Sequence, residues 1–590
     1  MRIANLKINN FRGISSADLI FPKHVVLIGD NNTGKSTIFE ALDLAMGPDR
    51  LNRRSIVDEH DFYNGKYLAA EEDADSPKIV IEVTVTELSD EQQIHFRDYI
   101  EWWCLDTQKL HIEGPPEVID YTSIQPAIRI SFFGEYDSEE DDFEGSTFFT
   151  RSLTESDSPQ PFKKKDKQKC GFLYLRALRT GSRALSLESG SLLDIILRIK
   201  EIRPQMWEST ITELDKFDVA TDPTIGISGV LESIEKAIKK YVPREWGVSP
   251  HLKVSNLTRE HLRKVITAFI ATGEGGHAAP FYRQGTGTIN ILVLAMLAQI
   301  AEDKQNVIFA MEEPETAIPP YTQKRIVHEI KKLSAQSFFT SHSPYVLEEF
   351  ELEETVVLHR NSDGVMEQSC VELPDSIKHK RYKQDFRKRF CEGLLSRRIL
   401  IAEGATETTA FPTVARRLSE LNPNVYSSLE VLGVCIVDAE SDGKIADLSE
   451  LYTKLNKRVF AVCDKQEEAD KQKIEDNVEK LFMHEEKGFE DLVLKNTTQP
   501  AIDRFIDWLE WPPHLQTKYL NPKENSGQAL KDYFSWAKGN WGIADFLAQC
   551  NEDEIPQWIK DVCLELKGLI APQVDDETSS DEEVSDDGDE

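Results

Sequence analysis

The sequence predicts an α/β protein made of two successive α/β units, and three observations support this fold class. An apolar run from His24 to Ile28 ends in a glycine-rich loop, and a helical pattern follows from Ser36 to Met46. Strand-like apolar runs then alternate with helical segments in two separate stretches, at 307–311 and 337–340 and again at 398–402, 431–437 and 459–463. Such alternation is typical of α/β units. A chain of 590 residues is also longer than one ordinary core organises, which agrees with at least two domains.

The composition indicates a globular chain with a strong excess of acid. Hydrophobic residues make up 40% and charged residues 29%, and the net charge is -34. Part of the excess is local, because residues 573–590 contain ten acidic and no basic side chains, and we expect this tail to be disordered. A chain with this average charge contacts nucleic acid only through a local basic patch or through a metal that bridges phosphate to carboxylates.

The cysteines and the apolar segments indicate where such a chain works. The eight cysteines occur singly, without paired metal-ligand spacing, which is typical of a reducing interior and predicts a cytoplasmic location. Residues Met1 to Phe11 alternate polar and apolar side chains, unlike a signal peptide, and polar residues interrupt the longest apolar stretch, Ile289 to Ala301. We therefore expect no membrane span.

A phosphate-binding pattern lies between the first apolar run and the first helix. Residues 29–36 read Gly-Asp-Asn-Asn-Thr-Gly-Lys-Ser and match G-x-x-x-x-G-K-S. In this pattern backbone N–H groups surround phosphate, Lys35 reaches the β and γ phosphates, and Ser36 coordinates Mg²⁺. The residues predicted to bind ATP are Asn31, Asn32, Thr33, Gly34, Lys35, Ser36 and Thr37.

Two later strand ends supply acids and a histidine. The apolar run at 307–311 is followed by Glu312 and Glu313, where the first acid can hold Mg²⁺ and the second can polarise a water molecule. The run at 337–340 places His342 where it can contact a γ-phosphate. We predict Glu312 as a metal ligand and Glu313 and His342 as catalytic residues.

Together these motifs resemble the RecF/SMC branch of ABC ATPases. The resemblance rests on Ile8-Asn9-Asn10-Phe11-Arg12-Gly13, the phosphate loop, Glu312-Glu313-Pro314-Glu315 and Thr340-Ser341-His342-Ser343-Pro344. That family binds two nucleotides between two heads, so the resemblance implies a homodimer or a higher homo-oligomer. In that family, each nucleotide also contacts a signature segment of the opposite head. The resemblance assigns this segment to Gly285, Thr286 and Gly287, although the sequence here differs from the common Leu-Ser-Gly-Gly-Gln. The sequence contains no sustained heptad repeat, so we expect no long coiled coil. By analogy with the family, we expect a helical insertion at 181–264 to pair the protomers.

The second α/β unit carries acids at its own strand ends. Glu403 follows the run at 398–402 and Glu407 begins the next helix, so both carboxylates can face one cation. Asp464 follows the run at 459–463, and Glu490 and Lys538 come later. Carboxylates that hold Mg²⁺ or Mn²⁺, with a lysine that neutralises developing charge, suit the cleavage of a phosphodiester.

This second pattern resembles a Toprim domain, and an ATPase head followed by Toprim resembles the OLD (overcoming lysogenization defect) family of ATP-linked nucleases. The resemblance implies Glu403, Glu407, Asp464 and Glu490 as metal ligands or their supports, and Glu403 and Lys538 as catalytic residues. One departure concerns the Asp-x-Asp that usually follows the third Toprim strand, because this chain has Gln466 in place of the second acid. Glu467, Glu468 or Asp438 could supply the missing carboxylate.

The motifs predict four segments and a DNA-binding stretch. The segments are an ATPase domain at 1–375 with its insertion at 181–264, a basic linker at 376–391, a Toprim domain with C-terminal helices at 392–572, and the tail at 573–590. The stretch from Lys378 to Arg389 is strongly basic and holds two aromatic residues that could stack on bases. The residues predicted to bind DNA are Lys380, Arg381, Lys383 and Arg387.

The resemblance implies an ATP-hydrolysing DNA endonuclease that uses Mg²⁺ or Mn²⁺ and acts in antiphage defence. Its implied partners are DNA and a second copy of the chain, and an accessory defence protein or nucleic acid remains open. The alternative is a non-cutting DNA-repair ATPase of RecF type whose Toprim unit binds nucleic acid or a partner. The missing acid at position 466 favours this alternative.

Overall fold

The computed structural model divides the chain into two compact units, Met1–Val371 and Glu372–Glu590. The described residues are 1–48, 56–69, 76–111, 123–155, 158–175, 187, 191–200, 203–215, 227–238, 258–266, 268–271, 278–303, 306–316, 318–373, 387–537 and 542–570. Most of the predicted basic linker and the whole acidic tail therefore lie outside the described residues. In the described part of the chain, every helix is too short or too polar to cross a membrane.

The first unit is built on one large mixed sheet. Its strands are β1 (Arg2–Phe11), β2 (Ile14–Ile20), β3 (His24–Ile28), β4 (Ile79–Thr86), β5 (Glu101–Cys104), β6 (Lys109–His111), β7 (Ile124–Asp137), β8 (Asp142–Phe149), β9 (Phe172–Leu175), β12 (Ile308–Glu312), β13 (Gln336–Thr340), β14 (Thr355–Arg360) and β15 (Val365–Cys370). The strand order is β6-β5-β7-β4-β1-β2-β15-β14-β3-β13-β12-β9, with β8 paired to β7, and β10 (Phe269–Ile270) and β11 (Ala279–Pro280) form a separate pair.

Helices accompany this sheet and fill the insertion. They are α1 (Lys35–Met46), α2 (Asp90–His95), α3 (Thr150–Glu155), α4 (Lys164–Cys170), α5 (Leu192–Ile199), α6 (Arg203–Asp215), α7 (Ile227–Ile238), α8 (Arg259–Val265), α9 (Thr286–Asp303), α10 (Pro320–Leu333) and α11 (Pro344–Leu347). The described parts of the predicted insertion at 181–264 are helical, and Leu187, Trp207 and Leu262 form a small core there. The role of this insertion in pairing protomers stays a prediction.

The strands next to the predicted phosphate loop are parallel and buried. β13 lies between β3 and β12, and all three run in the same direction. Strands covered on both faces favour continuous apolar sequence, as in β3, which is apolar after His24. All five residues of β13 are buried, with Phe338 and Phe339 at its apolar centre. Phe338 of β13 contacts Phe21 and Phe39 edge-on, with ring centroids 5.1 and 6.3 Å away. This core holds α1 against the sheet and so positions the loop between β3 and α1.

The second unit contains a parallel sheet of four strands, in the order β17-β16-β18-β19. The strands are β16 (Arg398–Ala402), β17 (Val434–Asp438), β18 (Arg458–Cys463) and β19 (Lys480–Met483). The helices are α12 (Arg387–Leu395), α13 (Ala405–Leu421), α14 (Ile445–Lys454), α15 (Glu468–Glu475), α16 (Phe489–Asn496), α17 (Gln499–Trp508), α18 (Pro513–Lys518), α19 (Ser526–Trp536), α20 (Gly542–Ala548) and α21 (Gln557–Ile570).

The structure confirms the predicted fold class of two α/β units and corrects two details. The strand predicted at 431–437 begins only at Val434, because the chain turns at Gly433, where φ is +63°. The strand β19 was not predicted, because its four residues are too few to show a periodic pattern. Since β19 closes the edge of the sheet beside β18, it adds one more strand end to the site described below.

Candidate functional site

The loop between β3 and α1 has the shape of a phosphate cradle. Gly34 has φ of +109°, and a Cβ atom there would lie 2.9 Å from the Met366 side chain, so only glycine fits. The Lys35 Nζ donates hydrogen bonds to the carbonyl oxygens of Gly29 (2.7 Å) and Asp30 (3.0 Å). These bonds fold the ammonium group back over its own loop. The loop therefore combines a helix N-terminus with a positive charge, as phosphate binding requires.

The other predicted residues of this site lie on the neighbouring strand ends. Glu312 pairs in register with Thr340 across β12 and β13, and Thr340 pairs with Leu27 of β3. The Glu313 backbone N–H donates to the Thr340 carbonyl (3.0 Å), which ties the two strand ends together. The Tyr174 hydroxyl donates to Glu312 Oε1 (2.8 Å) and fixes that carboxylate. Because parallel strands end at one edge, the predicted acids and the phosphate loop share that edge.

The charges of this site act on one another. Burial lowers the pKa of Lys35, and the negative charges of Asp30 and Glu313 oppose that shift. Burial and the positive charge of Lys35 also lower the pKa of His342, again opposed by Glu313. Lys35, Glu313 and His342 therefore form one electrostatic group. With its lowered pKa, His342 is neutral near pH 7 and can donate one hydrogen bond to a phosphate oxygen.

Glu315 holds the His342 segment in place, a role that the sequence analysis did not assign. Glu315 Oε1 accepts hydrogen bonds from the Ser341 hydroxyl (2.9 Å) and from the His342 backbone N–H (2.7 Å). Burial raises the pKa of this carboxyl. The sequence signal was its place two residues after Glu313. Its partners became visible only when the ends of β12 and β13 were brought together.

The predicted signature segment stands at the beginning of α9. Gly285 is exposed, and Thr286 and Gly287 are the first two residues of the helix. A Cβ at Gly285 would have no neighbour within 4 Å. The contact of this segment with a nucleotide on a second copy stays a prediction.

The second unit gathers its acids at the carboxyl edge of its sheet. Glu403 follows β16, Asp464 follows β18, and the first turns of α13 and α16 contain Glu407 and Glu490. The Asp464 backbone N–H donates to Glu403 Oε2 (3.0 Å). The Thr406 hydroxyl lies 3.4 Å from Glu490 Oε1. The structure therefore brings all four predicted acids into one cluster.

Burial and mutual repulsion perturb these carboxyls. Glu407 is only 7% exposed, and burial, followed by the charges of Asp464, Glu403 and Glu490, raises its pKa to about 8. Burial also raises the pKa of Glu403, with further contributions from Asp464 and Asp442. Acids packed together destabilise one another, and a divalent cation would remove that repulsion.

The position that departs from the Toprim pattern is occupied by an amide. Gln466 Nε2 lies 3.4 Å from Glu403 Oε2 and 3.2 Å from the Asp464 carbonyl oxygen. Glu467 is exposed and the Glu468 side chain is 86% exposed, so neither supplies the missing carboxylate. Asp438 Oδ1 accepts a hydrogen bond from the Glu440 backbone N–H (2.7 Å), so its carboxylate braces the turn after β17.

The donors of this cluster fit a divalent cation. Carboxylate oxygens are the protein ligands that Mg²⁺ and Mn²⁺ prefer. Within the described ranges, no three His, Cys, Asp or Glu side chains already surround a common point. Such a closed cage is not needed, because Mg²⁺ is usually held by one or two carboxylates and completes its shell with water and phosphate oxygens. Glu403 and Asp464, joined through the Asp464 N–H, are suited to this role.

A histidine that the sequence analysis missed also reaches the cluster. His484 follows β19, and its Nε2 lies 2.9 Å from Asp464 Oδ1. The side chain is only 2% exposed, and the ring stands edge-on to Trp558 with centroids 5.0 Å apart. A histidine directly after a fourth strand was the available signal, but it depended on recognising β19.

Several predicted residues are not placed by the structure. Lys538, Lys380, Arg381 and Lys383 lie outside the described residues. Arg387 is the first residue of α12. The catalytic role of Lys538 and the DNA contacts of the basic stretch stay predictions.

We expect Glu407→Gln to stabilise the metal-free protein at pH 8. The folded chain raises the pKa of Glu407 from 4.5 to about 8, so folding favours the protonated form. The stabilisation is complete below pH 4.5 and is lost as the pH rises through about 8. Glutamine is neutral throughout and avoids this loss. In EDTA at pH 8 we expect Tm to rise by about 2–4 °C, equivalent to about 1 kcal/mol, and the gain to shrink towards pH 5. The same Tm difference at both pH values would contradict the assigned carboxyl chemistry.

The two units define a class of protein in which a nucleotide-binding ATPase domain is followed by a Toprim domain. The chain belongs to the AAA ATPase domain family, whose model matches residues 1–178 and 185–347, more than half of the chain. Residues 394–465 match the model described as overcoming lysogenization defect protein-like, TOPRIM domain. An ATPase domain uses nucleotide and a TOPRIM domain uses divalent metal.

One relative and two solved structures extend the comparison. The Old nuclease of Escherichia phage P2 is 20% identical over 501 residues, covering 79% of this chain and 77% of the relative. The C-terminal region of the Burkholderia pseudomallei OLD protein is 17% identical with a TM-score of 0.22, covering 30% of this chain and 99% of that one. The SMC head domain from Thermotoga maritima is 13% identical with a TM-score of 0.29, covering 63% of this chain and 100% of that one. The resemblance to the OLD family is confirmed by the TOPRIM match and the nuclease relative.

Proposed function

We propose that the protein is an ATP-hydrolysing, metal-dependent DNA endonuclease. The observation that carries this proposal is the cluster in which Glu403, Asp464 and Glu490 surround the buried carboxyl of Glu407 at the end of a parallel sheet. Placing three partly buried acids around a buried one costs stability, so their convergence is best explained by a cation that binds there. The TOPRIM match and the nuclease relative support the same activity.

We assign each residue of the ATP site a role. The Lys35 ammonium leaves the carbonyls of its own loop and neutralises the β and γ phosphates, and Ser36 and Glu312 are the oxygen donors for Mg²⁺. Glu313 lies at the strand end where it can orient an attacking water. His342 donates a hydrogen bond to the γ-phosphate, and Glu315 holds its backbone in position.

In the nuclease site, Glu403 and Asp464 hold the metal, and Glu407 and Glu490 support them. When bound, Mg²⁺ or Mn²⁺ activates water and stabilises the leaving oxygen of the phosphodiester. Lys538 neutralises the negative charge that develops on phosphate. The DNA backbone binds the basic residues Lys380, Arg381, Lys383 and Arg387.

ATP controls this cleavage by closing two heads on each other, which makes the working unit a homodimer. Gly285, Thr286 and Gly287 then face the nucleotide of the opposite copy. Phosphodiester hydrolysis is itself downhill, so ATP is needed to govern access to DNA and not to drive the chemistry. The protein acts in the cytoplasm in antiphage defence. The participation of an accessory defence protein or nucleic acid stays open.

A second function is favoured by one observation, the amide at Gln466. The Gln466 side-chain amide contacts Glu403 Oε2, and Toprim domains usually have a second acid at the position of Gln466. A site with one weakly held cation suits a non-cutting DNA-repair ATPase whose Toprim unit binds nucleic acid or a partner.

The test is to incubate the purified protein with supercoiled and with linear DNA, with Mg²⁺ or Mn²⁺, and with and without ATP. We expect nicked or linear product in the presence of metal and none in EDTA, and readdition of metal should restore cleavage. ATP hydrolysis without cleavage under every metal condition would favour the non-cutting ATPase.

A further inference from the structure

His484 is buried against the acid cluster without a matched hydrogen bond. Its Nε2 lies 2.9 Å from Asp464 Oδ1, yet the two atoms are not placed in hydrogen-bond geometry. Among the described residues, neither ring nitrogen of His484 nor Asp464 Oδ1 has a hydrogen-bond partner. A buried imidazole normally satisfies at least one nitrogen, because leaving a buried polar group unpaired destabilises the fold. The short and misaligned contact therefore needs an explanation.

The geometry of the pair matches two ligands of one metal ion. In an octahedral site with ligand distances of about 2.1 Å, adjacent donor atoms are about 3.0 Å apart. The observed separation of 2.9 Å between Nε2 and Oδ1 agrees with this spacing. A cation placed beside both atoms uses the lone pair on each, and it needs no N–H directed at the carboxylate.

The surroundings hold the imidazole in one orientation. Trp558 stands edge-on to the ring at 5.0 Å, and Phe489 lies 6.4 Å away between centroids. The His484 backbone N–H donates to the Cys463 carbonyl (3.3 Å), next to Asp464. This packing fixes the direction of Nε2, as a preorganised ligand requires.

We propose that His484 Nε2 and Asp464 Oδ1 are two ligands of a divalent transition-metal ion, with the imidazole in place of the second acid that is absent at Gln466. Imidazole is a better ligand for transition metals than for Mg²⁺, so the site prefers ions such as Mn²⁺. This inference rests on the proposed metal-dependent function, and it adds the identity of a ligand and the class of ion.

The test uses the full-length protein without nucleotide, with Mn²⁺ as the probe. Pulsed electron paramagnetic resonance detects the nuclear coupling of a nitrogen bound directly to Mn²⁺. We expect this coupling in the unaltered protein and its loss in His484→Gln, together with Mn²⁺ binding that is weaker by about 10- to 100-fold. His514→Gln, which removes an exposed histidine of the same unit, should retain both the coupling and the affinity.

A second variant keeps the proposal testable if His484→Gln folds poorly. His484→Asp restores an oxygen donor, so it should bind Mn²⁺ without nitrogen coupling and should narrow the preference for Mn²⁺ over Mg²⁺. Bound Mn²⁺ without nitrogen coupling in the unaltered protein would overturn the proposal and leave His484 as an ion-pair partner of Asp464. Because the readout is metal binding, nitrogen coupling in a protein that fails to cut DNA would uphold this inference and count only against the proposed nuclease activity.

Discussion

Glu403→Ala is expected to lower metal-dependent plasmid nicking by about 10³-fold or more, equivalent to about 4 kcal/mol of transition-state stabilisation. Glu403 follows β16 and accepts a hydrogen bond from the backbone N–H of Asp464, so it connects the ends of β16 and β18. Its removal takes away a metal ligand and releases the hold on a second one. The measurement is the initial rate of conversion of supercoiled to nicked plasmid at saturating Mn²⁺.

Two further variants separate charge from structure at this position. Glu403→Gln keeps an oxygen that can accept the Asp464 N–H but carries no charge, so we expect it to fold normally and still lose most of its activity. Glu468→Ala removes an acid four residues after Asp464 that is 86% exposed, and this variant should cut DNA like the unaltered protein. Nicking by Glu403→Gln at the normal rate would show that Glu403 is not a metal ligand.

Lys35→Ala is expected to lower ATP hydrolysis by about 10²-fold or more, because the charge that neutralises the β and γ phosphates is lost. The effect should appear in the turnover rate as well as in nucleotide affinity, since the phosphate charge grows in the transition state. The measurement is phosphate release under saturating ATP. Normal hydrolysis by this variant would show that the loop at 29–36 is not the ATP site.

Lys35→Ala also tests whether ATP binding in the first unit controls DNA cleavage by the second, and Lys66→Ala is the control. Lys66→Ala removes an exposed lysine and should leave both hydrolysis and cleavage unchanged. If ATP governs access to DNA, cleavage by Lys35→Ala should no longer respond to added ATP. An unchanged cleavage rate with an unchanged nucleotide response would rule out this coupling.

The sequence by itself determined the parts of both sites that depend on local pattern. The phosphate loop is a contiguous motif, so Lys35 and Ser36 could be assigned without tertiary contacts. Glu313 in the first unit, and Glu403 and Asp464 in the second, follow apolar strands. Parallel strands end at a common edge, so the position of each acid at the edge of its own sheet was also predictable. Strand boundaries were less certain, as the late beginning of β17 at Val434 shows, because a turn residue such as Gly433 does not interrupt an apolar run.

Only the tertiary structure decided which side chains contact one another across the chain. Glu315 meets Ser341 and His342 because β12 and β13 are neighbours, and His484 meets Asp464 because β19 pairs with β18. The raised pKa of Glu407 likewise depends on burial and on acids brought from distant segments. Local pattern is set by the geometry of a few adjacent residues, whereas these contacts depend on how separate elements pack, and packing distances are not encoded in any short stretch of sequence.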